Sequence, residues 1–113
     1  FQHCTCEDAL VYHADAQRWA ATVYLTPDAP YECGTSLLAH KETGIRHVDT
    51  EGSDVIWKNK HLDPTPWDHI DVVANVYNRL VIWDGHCPHA ASQYFGYDKH
   101  DSRLFHMFFF DTE

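Results

Sequence analysis

The chain is poor in basic residues. Its 113 residues include eight Lys and Arg against seventeen Asp and Glu, and the formal net charge is −9. No run of basic side chains interrupts this acidic balance, so the sequence disfavours a protein that follows the phosphates of a nucleic acid. We expect no nucleic-acid partner and interpret the charge mainly as a means of keeping the protein soluble.

Long apolar runs are missing as well. No stretch approaches the roughly 20 residues that a helix needs to cross a bilayer. The first residues, FQHCTCEDAL, also lack the basic start and apolar segment of a signal peptide. We therefore expect no membrane contact, and we take a soluble protein of the cytoplasm as the working hypothesis.

Cysteine offers no framework of disulfide bonds. The four cysteines are Cys4, Cys6, Cys33 and Cys87. Cys4 and Cys6 are too close for an ordinary disulfide, and they lack the two-residue spacing of a zinc knuckle. The sequence therefore predicts unbridged thiols.

The chain does contain enough apolar material for one core. Hydrophobic residues make up 44% and aromatic residues 14% of the sequence, and this length fits a single domain over residues 1–113. Val, Ile, Thr and aromatic residues cluster in short runs between turn residues, which predicts strands. These runs lie at residues 10–15, 19–26, 35–40, 71–78, 79–85 and 103–111.

The alternation within these runs predicts which side chains share a face. In residues 19–26, Thr22 and Tyr24 lie on the same face, and in residues 103–111 one face carries Arg103 and Phe105. With roughly six or seven short strands and Gly/Pro turns between them, the pattern predicts an all-β sandwich or barrel such as a jelly roll.

The polar middle of the chain is harder to interpret. A short strand is expected at residues 54–58. Thr65 is a plausible N-cap before Pro66, so the pattern predicts a brief helix over residues 66–70.

A His-X-Asp pair lies in the first predicted strand. His13 and Asp15 are two residues apart, so their side chains project from the same face and can converge on one ion. A third ligand has to come from elsewhere, and His89 is the best candidate because its segment follows a predicted strand. Two His and one carboxylate on one side of a metal form the facial triad of non-haem Fe(II) enzymes. The pattern thus predicts a metal site with open coordination positions.

Chance pairing is a real alternative, since the chain has ten His. Six other histidines have no partner at ligand spacing, and we interpret them as surface or core residues: His40, His47, His61, His69, His100 and His106. His40 is the exception, because a position near the metal would let it replace one of the three predicted ligands.

The order of these features resembles the Fe(II)/2-oxoglutarate-dependent oxygenases, and within them the prolyl-hydroxylase-like branch. The resemblance covers nearly the whole chain. It rests on the segments HAD at 13–15, TVYLTPDAP at 22–30, GTSLLAHK at 34–41, NRLVIWDG at 78–85, PHA at 88–90 and RLFHMFFFD at 103–111. It implies a double-stranded β-helix, which is a jelly roll, with iron between the two sheets.

Residue roles follow from the same resemblance. It implies three Fe(II) ligands: His13, Asp15 and His89. It implies that Arg103 forms a salt bridge with the far carboxylate of 2-oxoglutarate, a task that suits a planar guanidinium fork. Tyr24 is expected to hydrogen-bond that carboxylate and Thr22 to line the same pocket. The implied reaction is O₂-dependent hydroxylation with 2-oxoglutarate as co-substrate, and the branch points to a protein or peptide side chain as substrate.

The chain departs from the family in its N-terminal part. The family has another major strand, and often helices, before the His-X-Asp motif, whereas only FQHCTCEDALVY precedes it here. Three explanations stay open: a fragment of a longer polypeptide, a partner chain that completes the sheet, or a reduced member with an open sheet edge. The loop between His89 and Arg103 is also longer than is usual for the family, and we interpret it as a lid or a substrate contact.

Two other functions are compatible with the same residues. A cupin-like barrel would use the His cluster to hold a metal without oxidative chemistry. A structural or assembly module would keep the fold without catalysis. Arg103 discriminates the oxygenase from the cupin-like protein, because only the oxygenase needs it for 2-oxoglutarate.

Overall fold

The computed structural model of the chain describes residues 1–58 and 60–112. Within these residues the regular structure consists of β-strands and one short 3₁₀ helix. The bounds are β1 Gln2–Cys4, β2 Trp19–Tyr24, β3 Thr35–His40, the 3₁₀ helix Ser53–Trp57, β4 Trp67–Val73, β5 Leu80–Asp84, β6 His89–Ala91 and β7 Arg103–Phe110. The predicted all-β class is confirmed.

The strands form two antiparallel sheets. One has the order β1-β7-β2-β5 and the other β4-β3-β6. A bridge between His13 and His89 places the segment before β2 along the edge of β6. The sheets face each other, because the hydroxyl of Tyr24 on β2 lies 2.6 Å from that of Thr35 on β3. The ring of Trp83 on β5 also packs 5.2 Å from that of His89.

Side-chain alternation along β2 and β7 decides what faces the space between the sheets. Thr22 and Tyr24 on β2 are almost fully buried there, and so is Arg103 at the start of β7. Phe108 and Phe110 lie on the opposite face of β7 and are exposed. The predicted faces of both strands are therefore confirmed.

The hydrophobic core lies around the three-stranded sheet. Its buried members are Tyr12, Leu38, Ile56, Trp67 and Ala90. The 3₁₀ helix joins this core through Ile56. The space between the two sheets, by contrast, is lined by several polar side chains, which is where the site described below lies.

The predicted helix over residues 66–70 is wrong. These residues mostly belong to β4, which pairs with β3 across one bulge. β-branched residues such as Ile70 and Val72 favour a strand, and pairing with β3 satisfies the backbone groups on one side of the segment. The capping signal of Thr65 is used locally instead, because its N–H and hydroxyl both donate to the carboxylate of Asp63.

Three predicted strands also need correction. Residues 54–58 mostly form the 3₁₀ helix, whose one buried side chain is Ile56. Residues 10–15 make a single bridge rather than a strand. The run at residues 71–78 leaves the sheet at the end of β4 and turns, with Asn78 in the left-handed region at φ 65°.

Disulfide bonds and membrane-spanning helices are both absent from the described residues. All four cysteines are free, as predicted. In the part of the chain that the structure describes, no helix has the length and apolar character required to cross a membrane.

Candidate metal centre

Backbone pairing brings the predicted ligands together. The N–H of His13 donates to the carbonyl of His89 at 3.1 Å, and the N–H of His89 donates back to the carbonyl of His13 at 2.8 Å. This reciprocal pair sets the two imidazoles side by side, with ring centroids 4.4 Å apart. Asp15 follows on the same segment, and its N–H donates to the carbonyl of Gly85 at 2.7 Å.

The donor atoms of the three residues converge. Nε2 of His13 lies 3.4 Å from Oδ1 of Asp15, and Nε2 of His89 lies 3.2 Å from Oδ2. One ligand atom from each residue lies within 4.8 Å of the others. Neighbouring ligands of an ion bound at about 2.1 Å stand roughly 3 Å apart, so these separations suit a shared cation.

Hydrogen bonds on the far side of each ring decide which nitrogen faces Asp15. Nδ1 of His13 lies 3.0 Å from the carbonyl oxygen of Val11, and Nδ1 of His89 lies 2.7 Å from that of Cys87. A carbonyl only accepts, so Nδ1 carries the proton and Nε2 of the neutral ring presents its lone pair to Asp15. Metal-binding histidines commonly have such an outer partner.

Two of the converging atoms are buried without a hydrogen bond. Nε2 of His89 and Oδ2 of Asp15 lie 3.2 Å apart, yet neither has a hydrogen-bond partner within the described residues. A lone pair facing a carboxylate is repulsive, and each buried unpaired polar group costs roughly 1–3 kcal/mol. A cation between the two atoms would remove both penalties, so the residues present fit a metal ion.

The local charges keep Asp15 ionised. Burial raises the pKa of Asp15, but the adjacent imidazoles of His13 and His89, which favour the carboxylate when they are protonated, outweigh burial and hold the pKa well below its ordinary value. Burial lowers the pKa of His13, but the hydrogen bond with Asp15 outweighs it, and the pKa is raised. A proton is therefore the main competitor of a metal at His13.

Gly85 belongs to the site although it has no side chain. A Cβ at this position would lie 2.5 Å from the carbonyl oxygen of Gln17 and 3.3 Å from Oδ2 of Asp15. Any side chain here would displace the backbone or the carboxylate. The Asp-Gly pair after a predicted strand indicates a turn, but nothing in the sequence shows that this turn touches Asp15.

Arg103 is buried between the sheets and only 3% exposed. Its Nε–H donates to the carbonyl of Cys33 at 2.9 Å, and an Nη2–H donates to that of Gly34 at 3.2 Å. The guanidinium lies over the rings of Tyr24, Tyr94 and Phe105.

Arg103 has no counter-ion within residues 1–58 and 60–112, where no carboxylate forms an ion pair with it. Burial lowers the pKa of the guanidinium. A buried charge held only by carbonyl dipoles and aromatic faces is costly, and an anionic ligand would offset that cost.

One cavity joins the metal ligands to Arg103. It has a volume of about 250 Å³ and is lined by residues from both sheets, including His13, His89, Arg103 and Thr22. The hydroxyl of Thr22 is buried and has no hydrogen-bond partner within the described residues. Asp15 joins the group through its contacts with the two histidines.

Tyr24 contacts the site through Arg103. It does not line the cavity: its hydroxyl lies 2.6 Å from that of Thr35, and its ring is 5.4 Å from the guanidinium carbon of Arg103. Its expected hydrogen bond with a bound carboxylate stays a prediction. Thr35, which the sequence analysis does not single out, does line the cavity.

Tyr94 is a further cavity residue, and nothing in the sequence singled it out. This residue lies in the loop between β6 and β7, lines the cavity and packs its ring 5.6 Å from the guanidinium carbon of Arg103. Burial raises the pKa of Tyr94 to about 12, so the phenol stays protonated and can donate a hydrogen bond. The interpretation of this loop as a lid or substrate contact was the only signal, and it named no residue.

His40 lies outside the group. Its Nδ1 is 3.0 Å from the hydroxyl of Thr43, and its ring packs edge-on against Trp67. Among the described residues it belongs to none of the groups that could hold a metal, so the alternative in which it replaces a ligand is wrong. A further group, which the sequence analysis did not predict, consists of His47, Asp49 and His86.

Comparisons with known proteins add no identification. No protein-family model matches the chain, and neither the curated proteins nor the solved structures give a significant match.

Proposed function

We propose that the protein is an Fe(II)/2-oxoglutarate-dependent dioxygenase that hydroxylates a side chain of a protein or peptide. One observation carries the proposal. The same cavity of about 250 Å³ is lined by two of the converging ligands, His13 and His89, and by the uncompensated guanidinium of Arg103. The converging ligands would bind a cation, and the guanidinium would bind an anion in the same cavity.

We also propose that the two sheets belong to a double-stranded β-helix, or jelly roll. The strand order supports this, because successive strands from β4 to β7 alternate between the two sheets. The bridge between His13 and His89 adds one more segment to the three-stranded sheet. Each sheet then has four members, as in the eight-stranded jelly roll.

His13, Asp15 and His89 would hold the iron. Two imidazoles and one carboxylate form the donor set of the facial triad, which leaves positions for a co-substrate and O₂. When bound, Fe(II) would supply the activation of O₂ that is coupled to the decarboxylation of 2-oxoglutarate. The far-side hydrogen bonds of both rings fix the tautomers that this requires.

Arg103 would bind the carboxylate of 2-oxoglutarate that lies far from the iron. A guanidinium has five N–H donors, and the carbonyls of Cys33 and Gly34 use only part of them. Hydrogen bonds between charged partners contribute roughly 1.5–3 kcal/mol. Thr22 and Tyr94 line the same cavity, and the buried hydroxyl of Thr22, which has no hydrogen-bond partner among the described residues, would extend the donor set.

The remaining walls of the cavity would keep the reaction dry. Trp83 packs its ring against His89, and Met107 and Phe109 line the same space. These apolar walls would limit the access of water to His89, whose side chain is 3% exposed, and a drier site strengthens the electrostatic interactions inside.

The rim of the cavity supports a peptide as substrate. Val11 and Phe109 line the cavity and are 41% and 48% exposed, so apolar surface is available to a bound side chain. The net charge of −9 would attract a basic segment in preference to an acidic one.

Conversion of 2-oxoglutarate to succinate tests this proposal. With Fe(II), ascorbate, O₂ and a set of basic peptides, we expect the wild type to form succinate and Arg103→Met to form none above background. Arg79→Met is the matched control, because the Arg79 guanidinium bonds the carbonyl of Ala74 and does not line the cavity. If the wild type binds Fe(II) but forms no succinate with any peptide, the proposal fails, and a metal-binding or structural protein remains.

A further inference from the structure

A second group of His and Asp side chains lies where the loop after β3 meets the turn between β5 and β6. His47 and Asp49 come from the loop, and His86 comes from the turn. One ligand atom from each lies within 4.8 Å of the others. The N–H of Val48 donates to the carbonyl of His86 at 2.9 Å, so the backbone itself fastens the loop to the turn.

The unprotonated nitrogen of the His86 ring, Nδ1, faces the carboxylate of Asp49. Its Nε2 lies 3.3 Å from the carbonyl oxygen of Ala16, so Nε2 is the protonated nitrogen of a neutral ring. Its Nδ1 lies 3.2 Å from both Oδ1 and Oδ2 of Asp49. A lone pair placed evenly between two carboxylate oxygens needs a cation, which is either a second proton or a metal ion.

The ring of His47 is oriented in the same sense. Its Nε2 lies 3.1 Å from Oδ2 of Asp84, which accepts that proton and is itself held by Arg18 at 3.0 Å. Its Nδ1 is left unprotonated, accepts the N–H of Asp49 at 3.2 Å, and lies 3.6 Å from the Oδ2 of Asp49. Both histidines thus have an outer acceptor on one nitrogen and turn the other toward Asp49, as metal-binding histidines do. A metal bound at Nδ1 of His47 would replace its hydrogen bond from the N–H of Asp49.

We propose that His47, Asp49 and His86 form a second metal site, separate from the one at His13, that binds a divalent transition-metal ion such as zinc. Two imidazoles and a carboxylate suit zinc, copper or nickel better than magnesium or calcium. Ligand atoms around a tetrahedral zinc at about 2.0 Å stand roughly 3.3 Å apart. The observed separations of 3.2 and 3.6 Å are close to that value.

The ion would fasten the loop to the turn between β5 and β6. This turn leads directly into β6, and His89 is the first residue of that strand. The second site would therefore stabilise the segment that carries a ligand of the first site. The inference does not rest on the proposed oxygenase function, because the second site needs neither 2-oxoglutarate nor Arg103.

Another ligand set is disfavoured by its own partners. Ligand atoms of His47, Asp84 and Cys87 also lie within 4.8 Å of one another. The carboxylate of Asp84, however, is already paired with Arg18, and burial raises the pKa of the Cys87 thiol, which disfavours the thiolate that a metal would need.

Titration with Co²⁺, whose visible spectrum reports its ligands, tests the inference in a His13→Ala background that weakens the first site. We expect one equivalent to bind, with no sulfur-to-metal charge-transfer band. Adding His86→Ala should abolish binding or weaken it at least tenfold. Adding His100→Ala, which changes an exposed histidine outside every group of potential ligands, should leave it unchanged.

Asp49→Asn provides a second variant in case His86→Ala does not fold, since the Asp49 side chain is 55% exposed and asparagine has nearly the same shape. It should also weaken Co²⁺ binding at least tenfold and remove the rise in melting temperature that Zn²⁺ produces in the background protein. Failure of the background protein to bind Co²⁺, binding that neither variant changes, or a sulfur-to-metal band would overturn the inference. Absence of 2-oxoglutarate turnover would not bear on it.

Discussion

Nε2 of His89 lies 3.2 Å from Oδ2 of Asp15, and neither atom has a hydrogen bond within the described part of the chain. The proton of His89 is on the other nitrogen, where the carbonyl of Cys87 accepts it at 2.7 Å. Two lone pairs thus face each other in a buried place. A metal ion between them is the simplest way to make this arrangement favourable.

Replacement of Arg103 separates its binding role from its structural role. In Arg103→Met we expect the melting temperature without ligand to be unchanged or higher, because a buried and uncompensated charge is removed. We expect the affinity for 2-oxoglutarate to fall by about tenfold to a hundredfold, as lost charge-assisted hydrogen bonds imply. Calorimetry of both proteins measures the two effects. A large loss of stability with unchanged affinity would mean that the guanidinium serves the fold.

Metal binding should weaken in acid. The pKa of His13 is raised by its hydrogen bond with Asp15 despite the opposing effect of burial, and only the neutral ring can bind a metal. The apparent affinity should therefore fall by about tenfold for each pH unit below that raised pKa, since one proton is displaced. Asp15 stays ionised over this range because its pKa is lowered. Co²⁺ titrations of Asp49→Asn, in which the proposed second metal site is disrupted, measure the affinity of the first site at each pH. An affinity independent of pH would contradict the prediction.

Gly85→Ala should damage the fold and the metal centre together, because its Cβ would lie 2.5 Å from the backbone carbonyl oxygen of Gln17. The same Cβ would lie 3.3 Å from Oδ2 of Asp15, so we expect at least a tenfold loss of metal affinity. Gly44→Ala is the control, because a φ of +74° strains an alanine but not the native glycine, and no atom lies within 4 Å of the new Cβ. The control should lose stability without losing affinity. Equal metal affinities in the two variants would argue against a role of Gly85 in positioning Asp15.

Tyr24→Phe should destabilise the protein by about 1 kcal/mol, the value of one buried hydrogen bond. The hydroxyl of Tyr24 lies 2.6 Å from that of Thr35 and is fully buried. Tyr97→Phe removes a hydroxyl from a side chain that is 77% exposed and should have no measurable effect. Denaturant unfolding of both variants checks this. If Tyr24→Phe also reduces affinity for 2-oxoglutarate, the role implied by the family resemblance gains support.

Local patterns predicted the fold only where local forces decide it. The faces of β2 and β7 follow from side-chain alternation, which is a property of the strand itself. The first part of β4, residues 67–70, was mistaken for a helix because the capping signal of Thr65 is local, whereas the pairing of β4 with β3 is not. β1 has no pattern of its own and forms through its pairing with β7.

In the candidate site, too, local spacing predicted some features, whereas contacts between distant segments decided the others. The spacing of His13 and Asp15 predicts that they share a face, but the bridge that sets His89 against His13 joins distant parts of the chain. The position of His89 after a predicted strand and the family resemblance both suggested that third ligand, but neither shows the pairing that places it. Tyr94 and Gly85 could not be predicted, because a loop and a turn bring them to the site through contacts that no spacing encodes.

Anaerobic addition of Fe(II) and 2-oxoglutarate tests the central claim most directly. If His13, Asp15 and His89 hold iron beside Arg103, the wild type should develop the visible charge-transfer band of iron chelated by 2-oxoglutarate. The band should be absent in His13→Ala and unaffected in Asp49→Asn. A wild-type spectrum that stays flat with iron bound, or a band that survives in His13→Ala, would contradict the account.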